Sequence, residues 1–343
     1  MTAGGRVARR GATSAISASV NLGGLALVLC ARLQHHPAMV NVLLASTPGG
    51  RSARASRLLA VVAFVASVAP VFVAPAASAR TIQRPDLLRY FTEAGTTGAM
   101  VVHHAGRQPR TVVVGAPRSH TRFLPSSTFK IPNSLLAIDR GVASGPDQPY
   151  PAPNPNFLMD GKPFLPAACE GDLTLATAFQ FSCVPVYQRI ARRLGRAVYA
   201  RAVRAIDYGN RRVDGAPLDS FWLEGPFAIS AHEQVRFLER LRRGALPVSR
   251  RAMRDVRSMM VLERDAGVVL RGKTGYVFST SPNVGWWVGW VASGRASWTF
   301  ALNLDITRPE HAAARIPIGR AILAELGALP RATAGVARRG LTG

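Results

Sequence analysis

Two valine-rich runs, Gly98–His104 and Thr111–Gly115, flank a glycine-containing turn at 105–109 and predict a β-hairpin. Ser126–Asp139 then shows helical spacing through Leu135, Leu136 and Ile138, with Gly141 just beyond as a stop signal. Pro132 breaks the helical rule, because proline lacks an amide donor and crowds the preceding turn, so a kinked or tightened first turn is expected. Residues 145–168 are dense in Pro, Asn and Gly and predict a long loop. Apolar positions recur at helical spacing over Leu173–Leu194, interrupted at Pro185, and again over Ser230–Leu241, where Ser230 and Glu233 have the spacing of a capping box. Three β-branched and aromatic runs follow, Val268–Phe278, Val284–Ala292 and Trp298–Ile306, separated by short turns as in an antiparallel meander. A last amphipathic helix is expected over Pro317–Leu326. Strands at both ends around a helical centre predict one α+β unit whose sheet recruits both ends of the chain.

The N-terminal segment changes the domain picture. Arg51–Arg57, the apolar stretch Leu58–Val73 and Ala77-Ser78-Ala79 follow the charged, hydrophobic, small-residue order of a secretory signal peptide, cleaved after Ala79. The apolar stretch is too short for a spanning helix and contains Pro70, so no stable membrane span is expected in the mature chain. The expected organisation is a leader over 1–79 and a catalytic domain over 80–343, exported to the periplasm or secreted. Met39 offers a later start within the leader. Cys30 would leave with it, and Cys169 and Cys183 would meet an oxidising compartment, either as a disulfide or as two buried thiols.

Charge adds a question rather than an answer. The chain of 343 residues carries a formal +24, and +17 remains after residue 79. Of the 43 basic residues only three are lysine, and the arginines are scattered without interleaved aromatic rings. Nucleic acid is therefore not the expected partner, since single-strand binders need stacking platforms along a basic track. The histidines and mature cysteines lack metal-ligand spacing, and H-E-x-x-H is absent, so no metal is implied.

Two of the three lysines fall in motifs that could carry chemistry. Ser127-Thr128-Phe129-Lys130 places a hydroxyl and an amine three residues apart, on one face of the predicted helix. A serine hydroxyl needs a base to become nucleophilic, and lysine can act as one only where apolar surroundings depress its pKa. A helix-capping serine beside a solvated lysine would spell the same four residues, so the pattern gains meaning only from its company. That company is Lys273-Thr274-Gly275, followed by Tyr276, on a predicted strand. There a cation and a hydroxyl could meet a substrate carboxylate while glycine lets the backbone approach.

In order and wording these motifs resemble the class D (oxacillinase-type) β-lactamases, within the serine β-lactamase and penicillin-binding transpeptidase superfamily. Pro125–Leu135 is similar to the family's nucleophile helix, Pro132 included. Ser182-Cys183-Val184 is similar to its S-x-V element, Tyr208-Gly209-Asn210 to its Y-G-N loop, and Phe221-Trp222-Leu223 to the aromatic turn after it. Lys273–Gly275 and Gly285–Val291 resemble its terminal strands, and Arg315 falls where the family keeps an arginine. The likeness covers about residues 90–328.

This resemblance implies a five-stranded antiparallel sheet packed with helices, and β-lactam hydrolysis through an acyl-enzyme on Ser127. Lys130 would be carboxylated by carbon dioxide to an N6-carboxylysine base, with no other cofactor, in a pocket walled by Phe129, Val184, Trp222 and Leu223. Trp222 is then either a donor to that group or simple core. Ser182 would relay a proton to the leaving nitrogen, or be a helix hydroxyl bonded to backbone. Thr274 and Arg315 would hold the substrate carboxylate, Lys273 would supply positive potential, and the amides of Ser127 and Tyr276 would form the oxyanion hole. Asn210, beside Tyr208, stays open between a substrate contact and a turn-fixing residue. The segments 150–155 and 167–172 lack the tryptophans common in the family, so the cleft rim is expected to differ. Competing readings are a penicillin-binding sensor or transpeptidase that acylates but deacylates slowly, and a non-catalytic basic envelope-binding module.

Overall fold

The computed structural model describes residues 80–152, 158–159, 162–163 and 167–330. The expected leader, with Cys30 and Met39, lies outside the described residues, as does most of the middle of the Pro-rich loop.

In chain order the strands are β1 (Arg80–Gln83), β2 (Gly98–Ala105), β3 (Arg110–Val114), β4 (Pro149–Tyr150), β5 (Leu158–Met159), β6 (Lys162–Pro163), β7 (Leu173–Thr174), β8 (Val261–Asp265), β9 (Val268–Val277), β10 (Asn283–Ser293) and β11 (Ala296–Ile306). The helices are α1 (Arg89–Glu93), α2 (Ala116–His120), α3 (Lys130–Asp139), α4 (Leu175–Gln180), α5 (Val184–Leu194), α6 (Arg196–Ala205), α7 (Ala231–Arg242), α8 (Arg250–Met259) and α9 (Pro309–Glu325).

The main sheet has the order β1-β3-β2-β11-β10-β9-β8. It corrects the five-stranded antiparallel expectation: five central strands, β3-β2-β11-β10-β9, do run antiparallel, but β8 joins one edge and β1 pairs parallel with β3 at the other. Both additions are edge strands with little apolar content, RTIQ and VLERD, largely exposed to solvent. Charged, short edges discourage pairing with other chains, and the same composition hides them from hydrophobic patterning.

The central strands are buried on both faces, which gives the molecule two cores. On β10, Trp286, Val288 and Trp290 join the core beneath the helices α3 to α8, whereas the alternate residues Trp287 and Val291 join a second core with Phe300, Leu302, Leu304 and the C-terminal helix residues Ile318, Ile322 and Leu323. Each such fully buried side chain contributes on the order of 1.5–3 kcal/mol.

Local signals behaved unevenly. The tightened first turn before Pro132 is a 3-10 turn, Ser126–Phe129, that runs into α3. The capping box is complete: the Glu233 carboxylate accepts the Ser230 amide at 2.9 Å and the Ser230 hydroxyl accepts the Glu233 amide at 3.3 Å. The break expected at Pro185 falls earlier, at 181–183, and Pro185 sits in the first turn of α5, where its missing donor costs nothing. The last helix starts at Pro309 rather than Pro317, which lies inside it.

Candidate active site

The Ser126–Phe129 turn is pinned from below and from the side. Phe129 is fully buried among Tyr199, Tyr208, Phe221, Trp222 and Phe227, with ring centroids 5.2–6.0 Å away. Ser126 adopts a left-handed backbone, φ 47°, a conformation that costs a non-glycine residue on the order of 1–3 kcal/mol and persists only when its surroundings enforce it. They do so here: its amide donates to the Trp222 carbonyl at 2.9 Å and its hydroxyl donates to the Tyr276 carbonyl. Sequence reasoning passed over Ser126, whose neighbour Ser127 carried the visible motif.

Ser127 remains half-buried and reachable, while Lys130 is wholly buried and donates to the Ser127 Oγ at 3.0 Å. Desolvation, with a smaller contribution from the charge of Lys273, holds the Lys130 amine well below its ordinary pKa. Its Nζ lies 5.1 Å from the centre of the Tyr187 ring. Phe129, Val184, Trp222 and Leu223, the expected pocket residues, all belong to the same buried core. The Trp222 indole N–H is buried without a hydrogen-bond partner among the described residues, an expensive state for a donor.

The second half of the site joins two residues that lie 91 apart in sequence. Lys273 is buried and donates to the Ser182 hydroxyl, which sits at another left-handed position, φ 62°, in the gap between α4 and α5. Burial and then the nearby charge of Arg315 pull the Lys273 pKa down to about 7. It is thus not the solvated edge lysine that its strand alone suggested. β8 pairs β9 only as far as Arg271, so beyond it the Lys273–Val277 edge of the sheet has no strand outside it among the described residues and runs against the nucleophile turn. A Cβ at Gly275 would come within 3.1 Å of the Pro125 carbonyl and the Thr128 methyl, so glycine eases that close approach. Thr274, Tyr276 and Arg315 stay half-buried.

Arg315 reaches this edge from α9, donating to the Gly275 and Ala312 carbonyls. No carboxylate is among these partners. Its route passes over Gly285, where a Cβ would sit 2.6 Å from Arg315 Cδ. The role of Gly285 left no trace in the sequence pattern beyond its place in a tryptophan-rich strand.

Tyr208 and Asn210, the two residues left open by the sequence, make their hydrogen bonds within the protein. Tyr208 lies in the core, its hydroxyl donating to Gln234 at 3.5 Å. Asn210 spends its side chain on backbone, donating to the Pro226 carbonyl at 2.6 Å and accepting from the amides of Arg212 and Ala228 at 3.2 and 3.1 Å, which is the turn-fixing alternative. Cys169 and Cys183 form a disulfide with Cα atoms 5.7 Å apart.

The arrangement provides a reachable hydroxyl beside a desolvated amine, a second serine held by a second buried lysine, and an arginine turned toward an open sheet edge. Residues 98–324 match the penicillin binding protein transpeptidase domain family. Beta-lactamase OXA-48 of Klebsiella pneumoniae is 37% identical over 274 residues, covering 80% of this chain and all of the relative. OXA-5 of Pseudomonas aeruginosa is 39% identical over 215 residues, 62% of this chain and 78% of the relative. Among solved structures, the class D β-lactamase YbXI from Nostoc superposes with a TM-score of 0.66 at 36% identity, and FUS-1 (OXA-85) from Fusobacterium nucleatum subsp. polymorphum with 0.67 at 29% identity; each alignment covers 72% of this chain and all of the other.

Proposed function

The chain belongs to the class D β-lactamases of the penicillin-binding transpeptidase superfamily and hydrolyses β-lactams, and from that premise we propose how its own residues divide the work. Ser127 Oγ attacks the lactam carbonyl as its proton passes to the Lys130 position. The acyl–oxygen bond forms, the lactam C–N bond breaks, and Ser182 delivers its proton to the departing nitrogen while taking up the one gained at the Lys130 position. Water then attacks the acyl carbon, again giving its proton at the Lys130 position, and the ester bond to Ser127 breaks as that proton passes to the Ser127 Oγ.

The observation that carries this division is Lys130 itself. It is a buried amine 3.0 Å from the nucleophile whose burial favours the neutral form, with no carboxylate among the described groups that set its charge and, in the same core, a Trp222 N–H that has no partner among the described residues. Only a neutral amine combines with carbon dioxide, and the resulting carboxylate would accept from an indole donor, so these residues fit an N6-carboxylysine. When present, that group supplies an anionic base in place of an amine. Phe129, Val184, Trp222 and Leu223 keep water from it.

On the other side of the cleft, Thr274 and Arg315 hold the substrate carboxylate and Lys273 adds positive potential. The amides of Ser127 and Tyr276 take the oxyanion. The mature chain, residues 80–343, works in the periplasm or outside the cell once the segment ending at Ala79 is removed. No helix among the described residues is long and apolar enough to cross a membrane.

The test is turnover of a chromogenic β-lactam by the 80–343 chain, in bicarbonate and in carbon dioxide-depleted buffer, with intact mass measured in parallel. Many turnovers per molecule, enhanced by bicarbonate and lost in Ser127→Ala and Lys130→Ala, are expected. Turnover indifferent to bicarbonate would remove the carboxylation, and a stable stoichiometric adduct without turnover would favour a slowly deacylating sensor.

A further inference from the structure

The Cys169–Cys183 disulfide is the one feature near the cleft that the motifs do not account for, and its location is specific. Cys183 is the central residue of Ser182-Cys183-Val184, one peptide from the serine that touches Lys273, and it is the residue from which α5 starts. Cys169 ends a 3-10 turn, Ala167–Cys169, at the foot of the rim loop, and both cysteines are fully buried. The rim end of this cross-link is itself fastened. β4 pairs with β7, the Ala152 amide donates to Asp172 at 2.8 Å, and the Leu175 amide donates to the Gln148 carbonyl at 2.9 Å.

The other end is poorly determined without the bridge. Ser182 holds a left-handed backbone that its side chain disfavours, its amide reaches the Phe179 carbonyl only at 3.3 Å, and the preceding Phe181 is 45% exposed. The firm restraint is on Cys183, whose amide donates to the Ala178 carbonyl at 2.9 Å and whose sulfur is tied to the rim. A strained residue keeps its conformation only when its neighbours over-determine it.

Building on the site reading above, we infer that Cys169 and Cys183 are positioning residues for Ser182. Their bridge fixes the Cys183 backbone against the rim and so holds the Ser182 hydroxyl on Lys273. Proton delivery to the leaving nitrogen depends on the bridge, while the Ser127–Lys130 pair, formed within one helical turn, does not.

The experiment is a cycle of four chains: wild type, Cys169→Ala/Cys183→Ala, Ser182→Ala and the triple variant. Acylation rate constants are measured by stopped flow at a temperature where circular dichroism shows each to be folded. Loss of the bridge is expected to slow acylation roughly tenfold with KM nearly unchanged, and to have no further effect in the Ser182→Ala background. A bridge-less enzyme within twofold of wild type, or an equal loss with and without Ser182, would overturn the inference. Should the double alanine variant not fold, Cys169→Ala/Cys183→Val refills the buried space. Failure of both to fold would make the bridge a folding staple and overturn the positioning role. Full turnover by Ser182→Ala would instead fault the relay assigned to that serine, an outcome distinct from a crippled Ser182→Ala beside a healthy bridge-less enzyme.

Discussion

The cleft contains two serine–lysine pairs built in opposite ways. Ser127 and Lys130 meet within one turn of backbone, three residues apart, so their 3.0 Å contact follows from helical geometry once Phe129 anchors the turn. Ser182 and Lys273 meet across 91 residues, between a gap in the helical layer and the open edge of a sheet. Burial lowers both lysine pKa values, helped at Lys130 by the charge of Lys273 and at Lys273 by that of Arg315. The local pair therefore tolerates slack in tertiary packing, and the distant pair inherits every displacement of the loop that carries it.

The largest effects should come from the local pair, because nothing else in the cleft replaces its base. Lys130→Ala is expected to lower kcat/KM by roughly 10³-fold or more while leaving the melting temperature unchanged or raised, since a buried amine is removed from an apolar core. A steady-state assay with a thermal melt checks both halves. Retention of a tenth of the activity would show that the distant pair can supply the base.

Next in size is Ser182→Ala, for which a loss of roughly 10²-fold in acylation is expected, the scale of a single positioned proton-transfer group. An unchanged rate would dissolve the comparison, leaving Lys273 with an electrostatic role alone.

Smaller still is a pH signature of Lys273. Its pKa in the folded chain, about 7, lies below that of an unfolded lysine, so between these values the unfolded chain holds a proton that the folded chain lacks. Stability contributed by this residue therefore rises with pH from about 7 upward. Below 7 both states are protonated and the full cost of burying the charge is present. Urea midpoints between pH 7 and 9.5 should climb more steeply for wild type than for Lys273→Met, by up to about 1.4 kcal/mol per pH unit. Parallel curves would mean that the ammonium stays charged in the folded protein.

What could be foreseen from sequence follows the same division. The nucleophile turn, the capping box at Ser230 and the three long strands announce themselves through short-range spacing, and Pro132 marks the very turn that is tightened. The contact of Ser182 with Lys273 has no local signature, and resemblance to a family supplied both residues before geometry could. Edge strands β1 and β8 escaped because their residues face water, and α9 because Pro309, eight residues before Pro317, was an equally good first residue for a helix. The burial of Lys273, the anchoring of Ser126 on Tyr276 and the passage of Arg315 over Gly285 are products of packing between distant segments. No periodicity along the chain encodes them.

The finest test of the division is Gly285→Ala, a change in neither pair. The new methyl would lie 2.6 Å from Arg315 Cδ and 3.0 Å from Ile306 Cδ1, so the flexible arginine has to give way. Gly285 sits opposite Tyr276 in the register, and displacing the guanidinium weakens its hold on the Gly275 carbonyl at the same stretch of edge. The Ser127–Lys130 geometry is set on the opposite side of the cleft and has no reason to change. A rise in KM of roughly threefold to tenfold, with kcat within a factor of two, is therefore expected for a β-lactam bearing a carboxylate. If kcat fell by as much as KM rose, the displacement would be reaching Lys273 and Ser182 through the charge of Arg315, and the two sides of the cleft would be more tightly coupled than their construction implies.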